Sequence, residues 1–289
     1  MQFGKYIMKK ILVTCATGNL GSAVVKALSS RGMLARAASR HPDRITRSEQ
    51  TEAVFLDYDK RSNHDALLTG VDGLFLVAPP LDPEAPSKLN PFIDKAKSHG
   101  IGHIVFNSAL GVDGVETAPL RVIERYLMVS GVPYTILRPN FFMQNFSHGF
   151  IAPMIKQHHT IFLAADDAKT SFIATDDIAA VAAEVFTDNR TGEEFDLTGP
   201  EALDHYQTAA ILSKVSGRTI TYHSVSEEAM LQGARESGMP ESAVRYLANL
   251  YRAVRAGFTA RLTEDLANVT GHTPATFQVF AEKNRTVWQ

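Results

Sequence analysis

The segment Lys10-Ile-Leu-Val-Thr-Cys-Ala-Thr-Gly-Asn-Leu-Gly-Ser-Ala-Val-Val25 constrains the fold more than any other part of the chain. An apolar run breaks into a turn of small residues and resumes at once with helical spacing, Leu20, Val24, Ala27 and Leu28 recurring on one helix face. This pattern is that of a strand, a tight turn and a helix whose first backbone amides face an anion such as a diphosphate. The spacing is G-x-x-G-x-x-G, with Cys15 where the first glycine would stand, followed by Gly18 and Gly21. The candidate ligand-facing residues of the turn are Thr14, Cys15, Thr17, Gly18, Asn19, Leu20 and Gly21.

Short apolar runs follow at 34–39, 53–56, 73–78, 103–108 and 134–138, alternating with helical segments, so six strands are expected with the first at 10–14. Such alternation builds a doubly wound parallel sheet of Rossmann type, buried on both faces. The helix over 119–130 is well marked, with Pro119 in its first turn, Ile123, Tyr126 and Leu127 on one face, and Gly131 as its stop. After Arg138 the pattern loosens into Pro139-Asn-Phe-Phe-Met-Gln-Asn-Phe146, where a pocket wall is expected. Thr175 is expected to cap a helix whose buried stripe is Ile178, Val181, Ala182 and Val185. From Asp204 onward the chain reads as mostly helical. The expected organisation is therefore a Rossmann domain over 8–140, with 170–200 returning to it, and a smaller, mostly helical C-terminal lobe from 141–169 and 201–289.

Charge and composition narrow the partners. Twenty-nine Lys plus Arg against 31 Asp plus Glu offer no general field for nucleic acid or an anionic membrane. No apolar run approaches the roughly 20 residues of a membrane span, and 1–7 is too short and too polar for a secretory signal, with Met8 an alternative start. A single cysteine excludes an internal disulfide and a Cys-rich zinc site, and it fits the cytoplasm. His158-His159 lacks the spacing and carboxylate company of a zinc helix, so no metal is expected.

The end of the second strand bears on which dinucleotide would bind. An acid there holds ribose hydroxyls, whereas a basic residue favours a 2'-phosphate. Here the strand ends Ala38-Ser39-Arg40-His41, so Ser39 and Arg40, with His41 assisting, point to NADP, NADPH being preferred over NADH. Asp57-Tyr58 after the third strand has two readings: both border the adenine, or Asp57 caps a helix beginning near Lys60. Two roles are also open to Cys15. It is a small buried apolar side chain, or it is a thiol with a lowered pKa near a helix N-terminus that responds to oxidants.

Several segments together resemble the NmrA-like branch of the atypical short-chain dehydrogenase/reductase superfamily, which includes NADPH quinone reductases and triphenylmethane reductase. They are Val13-Thr-Cys-Ala-Thr-Gly-Asn-Leu-Gly21, Asp57-Tyr58, Glu124, Ser130-Gly-Val-Pro-Tyr-Thr-Ile-Leu-Arg-Pro-Asn-Phe141, Asp176-Asp-Ile-Ala179 and Leu197-Thr-Gly-Pro200, spread over nearly the whole chain. The resemblance implies NADP bound by the glycine turn and the basic residue after the second strand. It also implies that Ala78, Pro79, Asn107 and Ser108 border the nicotinamide.

Most oxidoreductases of the wider superfamily use a Tyr-x-x-x-Lys pair, the lysine lowering the tyrosine pKa for proton transfer. This chain lacks the pair: Tyr126 is followed four places on by Ser130, Tyr134 by Arg138, and no lysine lies between Lys97 and Lys156. Hydride transfer to an acceptor that needs little proton help remains, and small conjugated or aromatic molecules such as quinones and cationic dyes fit. Asn140, Phe141, Phe142, Met143 and Phe146 are expected to line the acceptor pocket, with Gln144 as a further polar contact, and Tyr126 and Ser108 are the candidate proton donors. A non-catalytic NADP(H) sensor acting through a protein partner is the alternative. A monomer or homodimer suits either reading.

Overall fold

The computed structural model describes residues 9–289; Met8 and the residues before it lie outside them. Seven strands form one parallel sheet in the order β3-β2-β1-β4-β5-β6-β8. They are β1 (Lys10–Val13), β2 (Leu34–Ser39), β3 (Thr51–Phe55), β4 (Gly73–Val77), β5 (His103–Asn107), β6 (Tyr134–Pro139) and β8 (Glu193–Leu197). A separate parallel pair joins β7 (Thr160–Leu163) to β9 (Thr221–Ser224).

Side chains alternate across the sheet, as the two-residue period of a strand requires. Ile11, Val13, Phe75 and Val105 pack beneath α1 (Asn19–Ser30) and α6 (Thr175–Asp188). Leu12, Leu74, Leu76, Ile104 and Phe106 face the opposite layer, which holds α2 (His64–Leu68), α3 (Ala85–Ser98) and α4 (Pro119–Val129). A third cluster sits apart from both layers. It gathers Phe146, Phe172, Phe277 and Trp288 among α5 (Ala152–His158), α7 (His205–Ser216), α8 (Glu227–Glu236), α9 (Glu241–Arg255) and α11 (Phe277–Lys283). Between the last two of these helices runs α10 (Asp265–Thr270), whose Leu266 joins the α1 and α6 layer.

All six expected strands are present, and a seventh was not anticipated. In Glu193-Glu-Phe-Asp-Leu197, three acids in five residues hide the strand pattern. The fold explains them: Phe195 and Leu197 are buried, while Glu194 and Asp196 turn to Arg138 on the neighbouring β6. The mostly helical reading beyond Asp204 also missed β9, which pairs with a strand about sixty positions earlier.

The helix starting at Thr175 needs a correction too. Ala174 is its N-cap and Thr175 its first helical residue, so the threonine does not cap it. Gln144 does, its Oε1 accepting the Thr175 amide at 3.0 Å, a partner thirty-one residues away that no local pattern reveals.

Candidate functional site

The turn after β1 is anchored from below. Thr14 Oγ1 donates to the Phe75 carbonyl (3.3 Å) and accepts the Val77 amide (2.8 Å), locking β1 to β4, so this buried hydroxyl is fully used within the fold. Cys15 stands in the left-handed region at φ 52°, and its carbonyl accepts the Gly18 amide at 2.9 Å. Gly21 is required here, because a Cβ would come within 2.3 Å of that same carbonyl oxygen. The helix α1 then starts with no side-chain cap and no acid in its first turn. Its leading amides are left for an outside acceptor, which suits a diphosphate.

The turn is tied sideways to the end of β2. Thr17 Oγ1 and Ser39 Oγ lie 2.8 Å apart, and Ser39 Oγ also accepts the His41 amide at 3.1 Å. Arg40 is exposed beside them and forms no ion pair among the described residues. Two hydroxyls thus meet where the 2'-phosphate was expected, with the exposed Arg40 next in the chain.

Tyr58 departs from the adenine reading, and Asp57 from the helix-capping one. Tyr58 is buried, packs edge-on against Phe92 and donates its hydroxyl to the Val77 carbonyl at 3.0 Å, so it is a core residue and not an adenine contact. Burial also holds its pKa well above the ordinary tyrosine range. Asp57 Oδ1 accepts the Asp59 amide at 3.2 Å, and the short helical turn Arg61–Asn63 that follows has Lys60 as its N-cap, so the Asp57 carboxylate closes a local turn and caps no helix. The Val77 carbonyl additionally receives Cys15 Sγ at 3.6 Å. Cys15 is half-buried, and desolvation pushes its thiol pKa up to about 11 against a smaller opposing pull from Arg40. The shift runs opposite to the lowered pKa expected near the helix start, because desolvation outweighs the pull of Arg40.

Beyond β4 the chain runs through half-buried Ala78 and Pro79, and beyond the adjacent β5 through Asn107 and Ser108. Asn107 Oδ1 and Ser108 Oγ are both buried without a hydrogen-bond partner. A polar atom left this way costs about 1–3 kcal/mol, which marks the pair for a ligand or an ordered water.

The aromatic segment after β6 divides. Met143 and Phe146 are fully buried, Phe146 lying edge-on to Phe172 (5.2 Å) and Phe277 (5.0 Å) in the third cluster. Asn140 is spent as well: Nδ2 donates to Ser171 Oγ and to the Thr259 carbonyl, each at 2.7 Å, and Oδ1 accepts the Phe141 amide at 2.9 Å. These three hold the lobe together and are not free to line a pocket. Phe141 and Phe142 keep part of their surface open. Tyr126 is also set aside as a proton donor. Its hydroxyl donates to the Asp94 carboxylate at 2.7 Å between α3 and α4, and that bond raises its pKa.

Two features escaped the sequence reading. A buried ion network joins α4, β6 and β8: Arg138 makes two 2.9 Å bonds to fully buried Glu124 and pairs with Glu194, and Arg121 bonds Glu124 at 2.9 Å. Its only local signal was the spacing of Arg121 and Glu124 on one helix face. The second is a cleft of about 570 Å³ bordered by Asn19, Lys26, Gln144, His148, Asp176 and Lys283. It opens beside the glycine turn rather than over Ser108, sharing Asn19 with the first and Gln144 with the aromatic segment. Among the described residues, no group of three or more His, Cys, Asp or Glu is placed to hold a metal, and no helix is long and apolar enough to cross a membrane.

Sheet order, parallel register and the uncapped helix after β1 define a Rossmann-type doubly wound α/β protein. The model of the NmrA-like family matches residues 8–256, and the chain belongs to that family. Prestalk A differentiation protein A of Dictyostelium discoideum is 32% identical over 94% of this chain and 91% of that protein. An NAD(P)H azoreductase of Xenophilus azovorans is 30% identical over 94% of this chain and 96% of its own. Among solved structures, the NADPH-dependent quinone oxidoreductase QOR2 of Escherichia coli, complexed with NADPH, superposes with a TM-score of 0.80 at 26% identity, covering 94% of this chain and 99% of that one.

Proposed function

We propose that this protein is an NADPH-dependent reductase of quinone-like or other conjugated acceptors that works without a Tyr-Lys pair. The observation that carries the reading is the buried, unpartnered Asn107 Oδ1 and Ser108 Oγ at the end of β5, on the same sheet edge as the uncapped turn of α1. The azoreductase and QOR2 relatives support it. In this reading, 8–140 and 170–200 carry the cofactor, while 141–169 and 201–289 close over the acceptor.

When bound, reduced nicotinamide supplies a hydride, and with one proton from solvent a quinone becomes a hydroquinone. The chain's own part is to place and to exclude. Amides of Asn19, Leu20 and Gly21 hold the diphosphate, and Thr17, Ser39 and Arg40 hold the 2'-phosphate through charge-assisted bonds. Ser108 Oγ has a hydroxyl free to donate to an acceptor oxygen as negative charge develops there. Phe141, packed against the third cluster, and Phe142, packed against the α1 and α6 layer, each keep some apolar surface open that a flat ring can meet.

The test is a titration with NADPH and with NADH, followed by a panel of quinones and azo dyes while the reduced nicotinamide absorbance is recorded. Tight NADPH binding with acceptor-dependent oxidation is expected. Binding with no oxidation across the panel would reject the reductase and favour a dinucleotide sensor.

A further inference from the structure

Residues 109–118 run from the end of β5 to the start of α4, and the residue before them is Ser108, whose hydroxyl is buried without a partner. Both ends of this loop are held by groups that meet at one carboxylate. At its start the ladder between β5 and β6 continues past the strand. The Ser108 amide donates to the Leu137 carbonyl (2.8 Å) and the Leu110 amide to the Pro139 carbonyl (3.0 Å). Between those two carbonyls stands Arg138, whose Nε and Nη2 each donate to Glu124 of α4 at 2.9 Å. At the far end Glu116 Oε1 accepts Nε and Nη2 of Arg121 (3.2 and 3.1 Å), and Nη1 of the same guanidinium donates to Glu124 Oε2 at 2.9 Å.

The middle of the loop has no such attachment. From Val112 to Ala118 its bonded amides donate only to carbonyls of the loop itself, at 2.9–3.3 Å. Its position over the sheet is therefore set by its two ends. Packing α4 on β6 does not call for charge, because buried ion pairs add little net stability over apolar side chains of the same size. A fully buried carboxylate between two guanidinium forks supplies something else, a fixed direction and register between the helix and the strand. A hydroxyl aimed at developing charge needs that precision, since its effect depends on sub-ångström placement.

We infer that Glu124 and Arg121 are positioning residues of the acceptor site: they hold loop 109–118 by both ends and so fix the Ser108 hydroxyl where charge develops on the acceptor oxygen. The inference rests on the reductase reading and adds to it a part for the α4 charges in the rate.

The test uses Arg121→Gln, which cuts the ties to Glu116 and one bond to the buried carboxylate, and Glu116→Ala, which cuts the same tie from its exposed end. Arg121→Lys restores the charge. Arg125→Gln is the control, because Arg125 faces the same Glu116 at 3.6 Å from an exposed position on α4. Steady-state rates with NADPH and duroquinone are measured beside Tm, NADPH affinity and amide hydrogen exchange at Leu110. Arg121→Gln is expected to lower kcat about tenfold and Glu116→Ala about threefold, with KM for duroquinone and Kd for NADPH within about twofold of the parent. Arg121→Lys should return kcat to within about threefold, and Arg125→Gln should leave it unchanged. Leu110 exchange should be about tenfold faster in Arg121→Gln and Glu116→Ala. Because Arg121 acts through Ser108, adding Arg121→Gln to Ser108→Ala should lower kcat by less than about twofold further. Losses that multiply in that double variant, or a lower Tm with kcat intact, would leave the network a structural role only and overturn the inference. If Arg121→Gln does not fold, the same cycle is run with Glu116→Ala. A parent that turns over no quinone would reject the reductase reading. The hold on the loop is then judged by exchange: faster Leu110 exchange in the variants keeps it, and unchanged exchange overturns it too.

Discussion

Cys15 is the only cysteine, so its chemistry can be read without interference. Exposing the native protein to a disulfide reagent such as DTNB asks how much thiolate the fold allows. Burial beneath the turn moves the thiol from 9.0 to about 11. Two pH units correspond to a hundredfold loss of thiolate, leaving roughly one molecule in 10⁴ ionised at pH 7. The Sγ–H is also engaged with the Val77 carbonyl at 3.6 Å, a contact the reaction must break. Labelling at pH 7 is therefore expected to be at least about a hundredfold slower than for a free model thiol, with the rate still rising tenfold per pH unit near pH 9. NADPH should slow it further, and peroxide at millimolar concentration should leave cofactor binding unchanged. A labelling rate within tenfold of the model thiol, or a plateau near pH 8, would show that the helix amides outweigh desolvation and would refute the argument.

Other outcomes follow from the same geometry. Arg40→Ala should raise the Kd for NADPH more than about tenfold while shifting that for NADH less than about twofold; equal losses, measured by fluorescence titration, would remove the 2'-phosphate assignment. Tyr126→Phe should leave kcat/KM for a quinone within about twofold of the parent and cost no more than about 1 kcal/mol in urea unfolding, since only an exposed bond to Asp94 is lost. Ser108→Ala should lower kcat by about tenfold or more with NADPH affinity kept, if its hydroxyl meets developing charge. His103 and His205 are both pushed from 6.5 to about 4 by burial. Thr135 donates its hydroxyl to the Arg190 carbonyl and so must accept from His103 Nε2–H, which makes Nδ1 the bare nitrogen of the neutral ring; a second proton would have to go to that buried, unpartnered Nδ1 with nothing to bond. Above pH 6.5 neither histidine is charged in either state. As pH falls from about 6.5 to 4 the unfolded chain protonates first, so stability should drop by roughly 3 kcal/mol per histidine and level off below. His205→Phe should flatten that slope in urea titrations, and an unaltered slope would discount the residue.

Much of the dinucleotide half was legible along the chain because its signals are local. Lys10 to Leu28 states a strand, a turn and a helix through spacing alone, and the resulting turn needs Gly21 for a contact with a residue six positions away. The six apolar strands follow from runs that must be buried on two faces. Where the sequence reading misplaced a residue, the deciding partner was distant. Gln144, not Thr175, caps α6; Asn140 is consumed by Thr259, 119 residues on; Tyr58 and Tyr126 look like site residues until Val77 and Asp94 are seen to hold their hydroxyls. The acids of β8 obscured a strand that only Arg138 makes sense of.

By itself, then, the sequence determined the class of fold and the place of the phosphate turn, since periodicity and small-residue turns act over a few residues and need no partner. Only the tertiary structure decided which polar side chains remain unspent at the sheet edge, and that Glu124 and Arg121 hold the loop that follows one of them. A hydrogen bond is available to a ligand only when no other part of the chain has taken it, and that depends on contacts between residues far apart in sequence.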